Sequence, residues 1–334
     1  MVFAVEDSPV YMLGAFDLMV AMIDSQEKVQ AVFGTGGGVP WDDHTSCFFC
    51  AVGRFFRPGY HNNLVSNWLP ALDGVVKKLE RGAKIADVGC GHGWSTVIMA
   101  KAFPNSQFIG YDFHPSSIEH ATAHAREHGV RANTRFEVAA AKNYPEKDFD
   151  LVAFFDCLHD MCDPAGAAAH VRQSLKPEGS WMIIEPIAGD RLEDNLNPVG
   201  RIYYAGSTLG CIPTSLAQEV GAALGAQAGE ARLREVITAG GLRSVRRAAE
   251  TAFNMILEAR PSLVLRGAPA QATTSSASET RSTRGACNGG STSRAKRRIS
   301  SLDIFRWGLG RVMADPGKGL PRELRSAGSV GDFG

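Results

Sequence analysis

One local pattern limits the folds open to this chain: a short apolar run carrying an acid near its end, broken by a glycine-studded turn. It reads Lys84-Ile-Ala-Asp-Val-Gly-Cys-Gly-His-Gly-Trp-Ser95, and after an amphipathic stretch a second apolar run, Phe108-Ile-Gly-Tyr-Asp112, closes on another acid. Strand, loop, helix and strand in that order make a unit that holds a nucleoside. Glycines at 89, 91 and 93 let backbone N–H groups come close to a ligand where any Cβ would collide. The helix that follows aims its positive end at the same place. Asp112, ending the second strand, is placed to accept hydrogen bonds from two ribose hydroxyls.

The spacing separates this loop from a dinucleotide fingerprint. That fingerprint is G-x-G-x-x-G, whereas here Gly89, Gly91 and Gly93 alternate and Trp94 stands next. Asp87, two residues before the first glycine, would repel a pyrophosphate and attract a cationic amino-acid group. Both points disfavour a nicotinamide-dependent dehydrogenase. A ribose, an adenine and a cationic amino-acid end together describe S-adenosyl-L-methionine. The pattern resembles the cofactor loop of the class I methyltransferases that depend on it.

The chain's 334 residues can bury one large core or two modest ones. No apolar run approaches the ~20 residues that span a bilayer, and no basic-then-apolar leader opens the chain. Membrane partners are therefore not expected. Seven scattered cysteines point to reduced thiols in a cytoplasmic protein. Cys47 and Cys50 stand alone as a C-x-x-C near His44, without the second pair a zinc site needs, so no metal is expected. From Ser262 onward there are twelve Lys and Arg against five Asp and Glu, leaving residues 1–261 with a surplus of seven acids. A mildly acidic core argues against nucleic acid as its partner.

Three regions follow from the pattern along the chain. Residues 1–80 read as a helical N-terminal segment. Val10 to Ile23, nearly all apolar, predicts a helix buried between other elements. Asp24 and Ser25 are N-cap residues for a short helix through Phe33, and a further helix is expected over Asn62–Leu79, kinked at Pro70. Residues 81–261 alternate strands with helices, which predicts a Rossmann-like α/β domain with a mostly parallel sheet. Its strands are expected at Ile85–Val88, Phe108–Tyr111, Phe136–Ala139, Leu151–Phe155 and Trp181–Glu185. Leu242–Arg247 and Ala252–Ala259 are too close for a helix between them, so they finish the sheet as an antiparallel hairpin. Residues 262–334 read as a disordered basic tail.

Methyl transfer from a sulfonium is an in-line displacement, so alignment and exclusion of water matter more than a fixed triad. Sheet ligands bind beyond the carboxyl ends of the strands, where Phe154-Phe-Asp-Cys-Leu-His-Asp-Met161 ends the fourth strand. Asp156, His159 and Asp160 are expected to face the site, and Glu185-Pro186 to form another wall. Leu158-His159-Asp160 is similar to the Leu-His-Asp of small-molecule methyltransferases. His159 is then the base or acceptor-orienting group, or else a cap of the next helix. In the resembling families residues such as Tyr60, His61 and Asn62 line the pocket from above, which implies that Tyr60 reaches the methionine carboxylate; the alternative is an ordinary helix cap. The stripe His120, His124 and His128 predicts a solvated helix face.

A longer likeness narrows the family. Phe155–Met161, Glu185–Asp190 and Asp194–Gly200 resemble a bacterial methyltransferase subgroup that usually carries an N-terminal winged-helix dimerisation domain. The resemblance implies a cofactor set of Asp87, Gly89, Cys90, Gly91, Gly93, Asp112, Phe113, Ala140 and Asp156. It also implies an acceptor site shaped by His159, Tyr60 and Glu185, a small-molecule methyl acceptor, and a homodimer. The chain departs from the subgroup in two respects that bear on function. The sequence starts where the winged helix of the subgroup should already have ended, so dimerisation is expected to be weakened if that domain is absent, and Ala140 stands where many relatives have an Asp for the adenine amino group. These departures motivate a rival reading, a module that binds the cofactor without turnover.

Overall fold

The structure, a computed structural model, describes residues 1–261 apart from the side chains of Ser46 and Cys47. The tail read as disordered lies outside the described residues. The N-terminal part holds α1 (Leu13–Asp24), α2 (Gln26–Phe33), α3 (Ser46–Asn63) and α4 (Val75–Arg81). Then β1 (Lys84–Val88), α5 (Trp94–Ala102), β2 (Gln107–Asp112), α6 (Pro115–Glu127) and β3 (Thr134–Val138) alternate. After them come β4 (Phe149–Phe155), α7 (Pro164–Ser174) and β5 (Leu175–Pro186). The chain continues through α8 (Pro198–Gly206), α9 (Ile212–Leu216) and α10 (Gly229–Ala239) to β6 (Ser244–Glu250) and β7 (Asn254–Arg260).

The seven strands form one sheet in the order β3-β2-β1-β4-β5-β7-β6. The first five pair in parallel, and β7 runs antiparallel to both β5 and β6. This is the Rossmann-like α/β arrangement expected from the alternation, with its closing hairpin. Parallel strands need crossover helices on both faces, so their side chains are buried on both faces. Ile85, Met182 and Ile184 enter one core with Leu64, Trp68 and Val97. Their neighbours Ala86, Trp181 and Ile183 enter the other with Val171, Leu233 and Ile237. That is why these strands read as unbroken apolar runs.

The N-terminal helices differ from expectation in three ways. First, α1 is not buried between other elements: Phe16, Met19, Val20 and Ile23 are about half exposed, and its buried residues are Gly14 and Ala21. A Cβ on Gly14 would lie 2.6 Å from the Arg54 carbonyl oxygen, so α1 meets α3 backbone to backbone. Such contact admits only small residues and turns the large ones outward. Second, the helix expected over Asn62–Leu79 is broken. A π turn covers Leu64–Trp68, Pro70 lacks the N–H that would continue it, and Gly74 takes φ +72° before α4. Third, Ser25 does not cap α2. Its hydroxyl donates to Ala21 O and meets His44 Nδ1 at 3.1 Å.

Strand order reverses between β1 and β4, the neighbours that carry the chain in opposite directions across the sheet. The crevice beyond their carboxyl ends is where open α/β sheets bind ligands.

Candidate active site

At that crevice the glycine turn is built around β2. Gly89, Gly91 and Gly93 all take positive φ, at +73°, +51° and +79°. A Cβ on Gly93 would lie 2.9 Å from Ala121 Cβ, so α5 and α6 could not close over the loop, whereas one on Gly91 would meet nothing within 4 Å. Gly89 and Gly93 thus serve packing, and Gly91 opens onto free space. The loop amides do not point at a ligand as expected. Gly89 and Cys90 N–H both donate to Tyr111 O, at 2.8 and 3.0 Å, and Gly93 N–H to Cys90 O. Gly91 N–H donates to Asp112 Oδ2 at 2.9 Å, and His114 N–H to Asp112 Oδ1 at the same distance. The turn therefore orients the carboxylate of Asp112. Burial raises this group above the usual carboxylate range while those donors pull it back.

A cavity of about 420 Å³ opens beside it. Its walls come from α3 (Val52, Phe56, Tyr60), the turn after β1, the end of β2 and the stretch Ala139–Lys142, and from the segment after β4. Of the twelve residues assigned to the cofactor and acceptor sites, eight line it, namely Tyr60, Gly89, Cys90, Gly91, Asp112, Phe113, Ala140 and Asp156, and Asp160, also expected to face the site, joins them. Asp87, Gly93, His159 and Glu185 are not in its wall.

Asp87 lies within the sheet, fully buried. Its Oδ2 accepts from Ser95 Oγ and Thr96 Oγ1, both at 2.6 Å, and its Oδ1 has no hydrogen-bond partner among the described residues. Burial pushes it up to about 6 against the two hydroxyls. It fastens the start of α5 to β1, a role the sequence did not suggest.

His159 and Glu185 form a pair behind the wall. Glu185 Oε1 accepts from Leu158 N–H at 2.9 Å, and its Oε2 meets His159 Nδ1 at 2.7 Å. Burial opposes charge on His159, yet Glu185 outweighs it, with Cys211 adding to the effect, and the imidazole is held well above its ordinary value. The pair fixes the loop after β4 from beneath.

Asp156 follows β4 at φ +50°, unusual for a non-glycine residue. Its oxygens accept from Tyr60 OH at 3.0 Å and Asn254 Nδ2 at 2.8 Å. Tyr60 thus spends its hydroxyl on a protein carboxylate, not on a ligand's. No local signal pointed to Asn254, which reaches the site only because β7 pairs with β5. The aromatic wall of α3 was equally hidden, because its residues read as ordinary apolar positions.

The imidazole stripe on α6 is packed, not simply solvated. His120 stacks on His92 with centroids 4.6 Å apart, His124 lies 4.7 Å from Trp94, and Arg57 sits 4.3 Å over the Trp94 ring. Burial lowers His92 to about 4, so it stays neutral. Among the described residues no group of His, Cys, Asp and Glu is arranged to hold a metal, and no helix is long and apolar enough to cross a membrane.

Comparison with known proteins agrees with this geometry. The family model for a methyltransferase domain matches residues 79–221. The ubiquinone biosynthesis O-methyltransferase of Leptothrix cholodnii is 33% identical over 136 residues, covering 40% of this chain and 54% of that protein. The protein of the same name from Methylococcus capsulatus is 32% identical over 100 residues, covering 30% and 41%. The chain thus spans about half, or less, of the length of these curated relatives. Among solved structures, an O-methyltransferase family protein from Burkholderia thailandensis superposes with a TM-score of 0.59 at 15% identity, covering 76% of this chain and 73% of that one. Human N-acetylserotonin methyltransferase, solved in complex with SAM, gives 0.53 at 17%, covering 77% and 72%. At such identities the likeness speaks for the fold. Taken with the matched domain and the sheet order, it gives this chain a methyltransferase domain over residues 79–221 on a Rossmann-like methyltransferase fold.

Proposed function

We propose that the chain transfers a methyl group from S-adenosylmethionine to a small-molecule acceptor within the 420 Å³ cavity, and that the accepting atom is an oxygen. The observation that carries this is Asp112. Its carboxylate stands in the cavity wall with one backbone N–H on each oxygen, which leaves a lone pair on each for a ribose diol.

The residues present fit such a donor. Space beside Gly91 is open, and Ala139–Ala141 give a short-side-chain wall beside Phe113 for an adenine. Bound there, the cofactor supplies an electrophilic methyl group on a sulfonium. Asp112 holds the sugar. Asp87 lends negative charge from beneath the turn. Ala140 leaves the adenine amino group without a side-chain acceptor. Phe49, Phe56 and Tyr60 of α3, with Trp41, keep water from the acceptor and hold it flat. Tyr60 acts through Asp156, and the Glu185–His159 pair acts by positioning the loop that carries Asp160. Oxygen as the accepting atom is supported by the names of the curated relatives.

Titration calorimetry with S-adenosylhomocysteine tests the donor site; micromolar binding is expected, and none at millimolar ligand would end the proposal. Transfer of labelled methyl from the donor to a metabolite extract separates an enzyme from a module that binds without turnover.

A further inference from the structure

The cavity carries more negative charge than a neutral nucleoside needs. Asp156 and Asp160 both line it, and Glu185 lies behind them, almost wholly buried. The two aspartates are held differently. Asp156 has a donor on each oxygen, Tyr60 OH and Asn254 Nδ2, which suits the ionised, acceptor-only form. Asp160 is half-buried, and no donor from another side chain reaches it among the described residues. Its segment abuts the glycine turn: a Cβ on Gly89 would lie 2.7 Å from Cys157 Sγ.

The titratable groups around this pair come from several elements. His159 and Glu185 face it from behind, and Asp112 from the end of β2. Cys157 lies in the same segment, Tyr60 reaches in from α3 and Tyr203 from α8. Burial, with Glu185 adding repulsion, pushes Asp156 up to about 8; burial pushes Asp160 up to about 7, with His159 opposing and Glu185 adding. Asp156 has both oxygens engaged by Tyr60 OH and Asn254 Nδ2, whereas Asp160 has no such donor among the described residues and faces the cavity, so Asp160 is the carboxyl whose protonation an entering charge can change.

We propose that Asp160 senses the charge of the methyl donor: it keeps a proton while the cavity holds no cation and releases it to solvent when a sulfonium ligand enters. This rests on the methyl-donor reading above. The cationic donor then binds with proton release, and the neutral thioether left after transfer binds without it. Once the sulfonium is gone, the carboxylate has lost its counter-charge and takes a proton back. Product therefore leaves a site that no longer holds it by charge.

Both S-adenosylmethionine and S-adenosylhomocysteine carry the same amino-acid end, so a difference between them isolates the sulfonium. Calorimetry of each ligand near neutral pH, in two buffers of different ionisation enthalpy, counts the protons released. Wild-type protein is expected to release a larger fraction of a proton with S-adenosylmethionine. In Asp160→Asn that difference should vanish, with donor affinity falling about tenfold, as for one pKa unit of interaction, and product affinity changing less than about twofold. Asp160→Glu should keep the difference, which separates the effect from misfolding. Equal proton counts for the two ligands in wild type, or a full difference in Asp160→Asn, overturns the inference while leaving the donor site intact. Failure of both ligands to bind wild type removes the donor reading and this inference together.

Discussion

Tyr60 donates its phenolic proton to Asp156 across 3.0 Å, tying α3 to the end of β4 over 96 residues of sequence. The bond lies in the cavity wall and couples the helical cover to the sheet edge. Tyr60→Phe keeps the ring against Phe155 and Trp68 and removes one donor. Urea unfolding should show a loss of about 1 kcal/mol, the net worth of one such bond. A variant as stable as wild type would mean that the cover is not anchored here.

Asp112 is the most direct probe of the proposed donor site. Replacing it with Ala removes the acceptor that Gly91 and His114 N–H groups orient. S-adenosylhomocysteine affinity should fall by about 1.5–3 kcal/mol, the range for a hydrogen bond to a charged group. Unchanged affinity would place the sugar elsewhere.

How much of this was legible in the sequence depends on distance along the chain. The sheet was readable because strands buried on both faces show as apolar runs, such as Phe149–Phe155. Asp112 and the glycine turn were readable because all their parts lie within 25 residues. Asp87 is legible only in part: the sequence puts an acid at the turn, but only the structure shows Ser95 and Thr96 taking one of its oxygens. Partners far apart in sequence left no trace. Asn254 and Asp156, 98 residues apart, meet through a strand pairing that no local pattern encodes. The outward face of α1 followed from the same blindness, since apolar content does not say which side approaches a neighbour's backbone.

Asp87 yields a prediction about pH. Its folded-state value is near 6 against an ordinary 3.8, so the folded chain binds this proton more tightly than the unfolded chain does. The stability it contributes is fully present below pH 3.8 and is lost as pH rises through 6. Asp87→Asn has no such ionisation, and its amide oxygen can still accept from both hydroxyls. The stability of the variant relative to wild type should therefore rise by about 2–3 kcal/mol between pH 4 and pH 7, measured on ligand-free protein. Parallel stability curves would show that Asp87 ionises freely.

The Glu185–His159 pair separates a positioning role from a catalytic one. Both residues are almost fully buried, and removing one partner of a buried pair costs about 3–5 kcal/mol because the other charge is stranded. His159→Ala should lose stability on that scale in urea unfolding. Neither residue lines the cavity, so the folded variant should bind S-adenosylhomocysteine within a few-fold of wild type. Intact stability with abolished turnover would instead put His159 in contact with the acceptor.

Ala140 offers a gain-of-affinity test. It lines the cavity next to Ala139 and Ala141, and the resembling subgroup often has an Asp there. Where an adenine amino group has no side-chain acceptor, one carboxylate oxygen at hydrogen-bond distance adds about 1 kcal/mol net. Ala140→Asp should therefore tighten S-adenosylhomocysteine binding about fivefold. The gain should disappear for the analogue in which the 6-amino group is replaced by an oxygen, since a carboxylate then faces an acceptor. If both ligands tighten alike, the new charge acts on the ligand's cationic end, and the adenine does not lie against this wall.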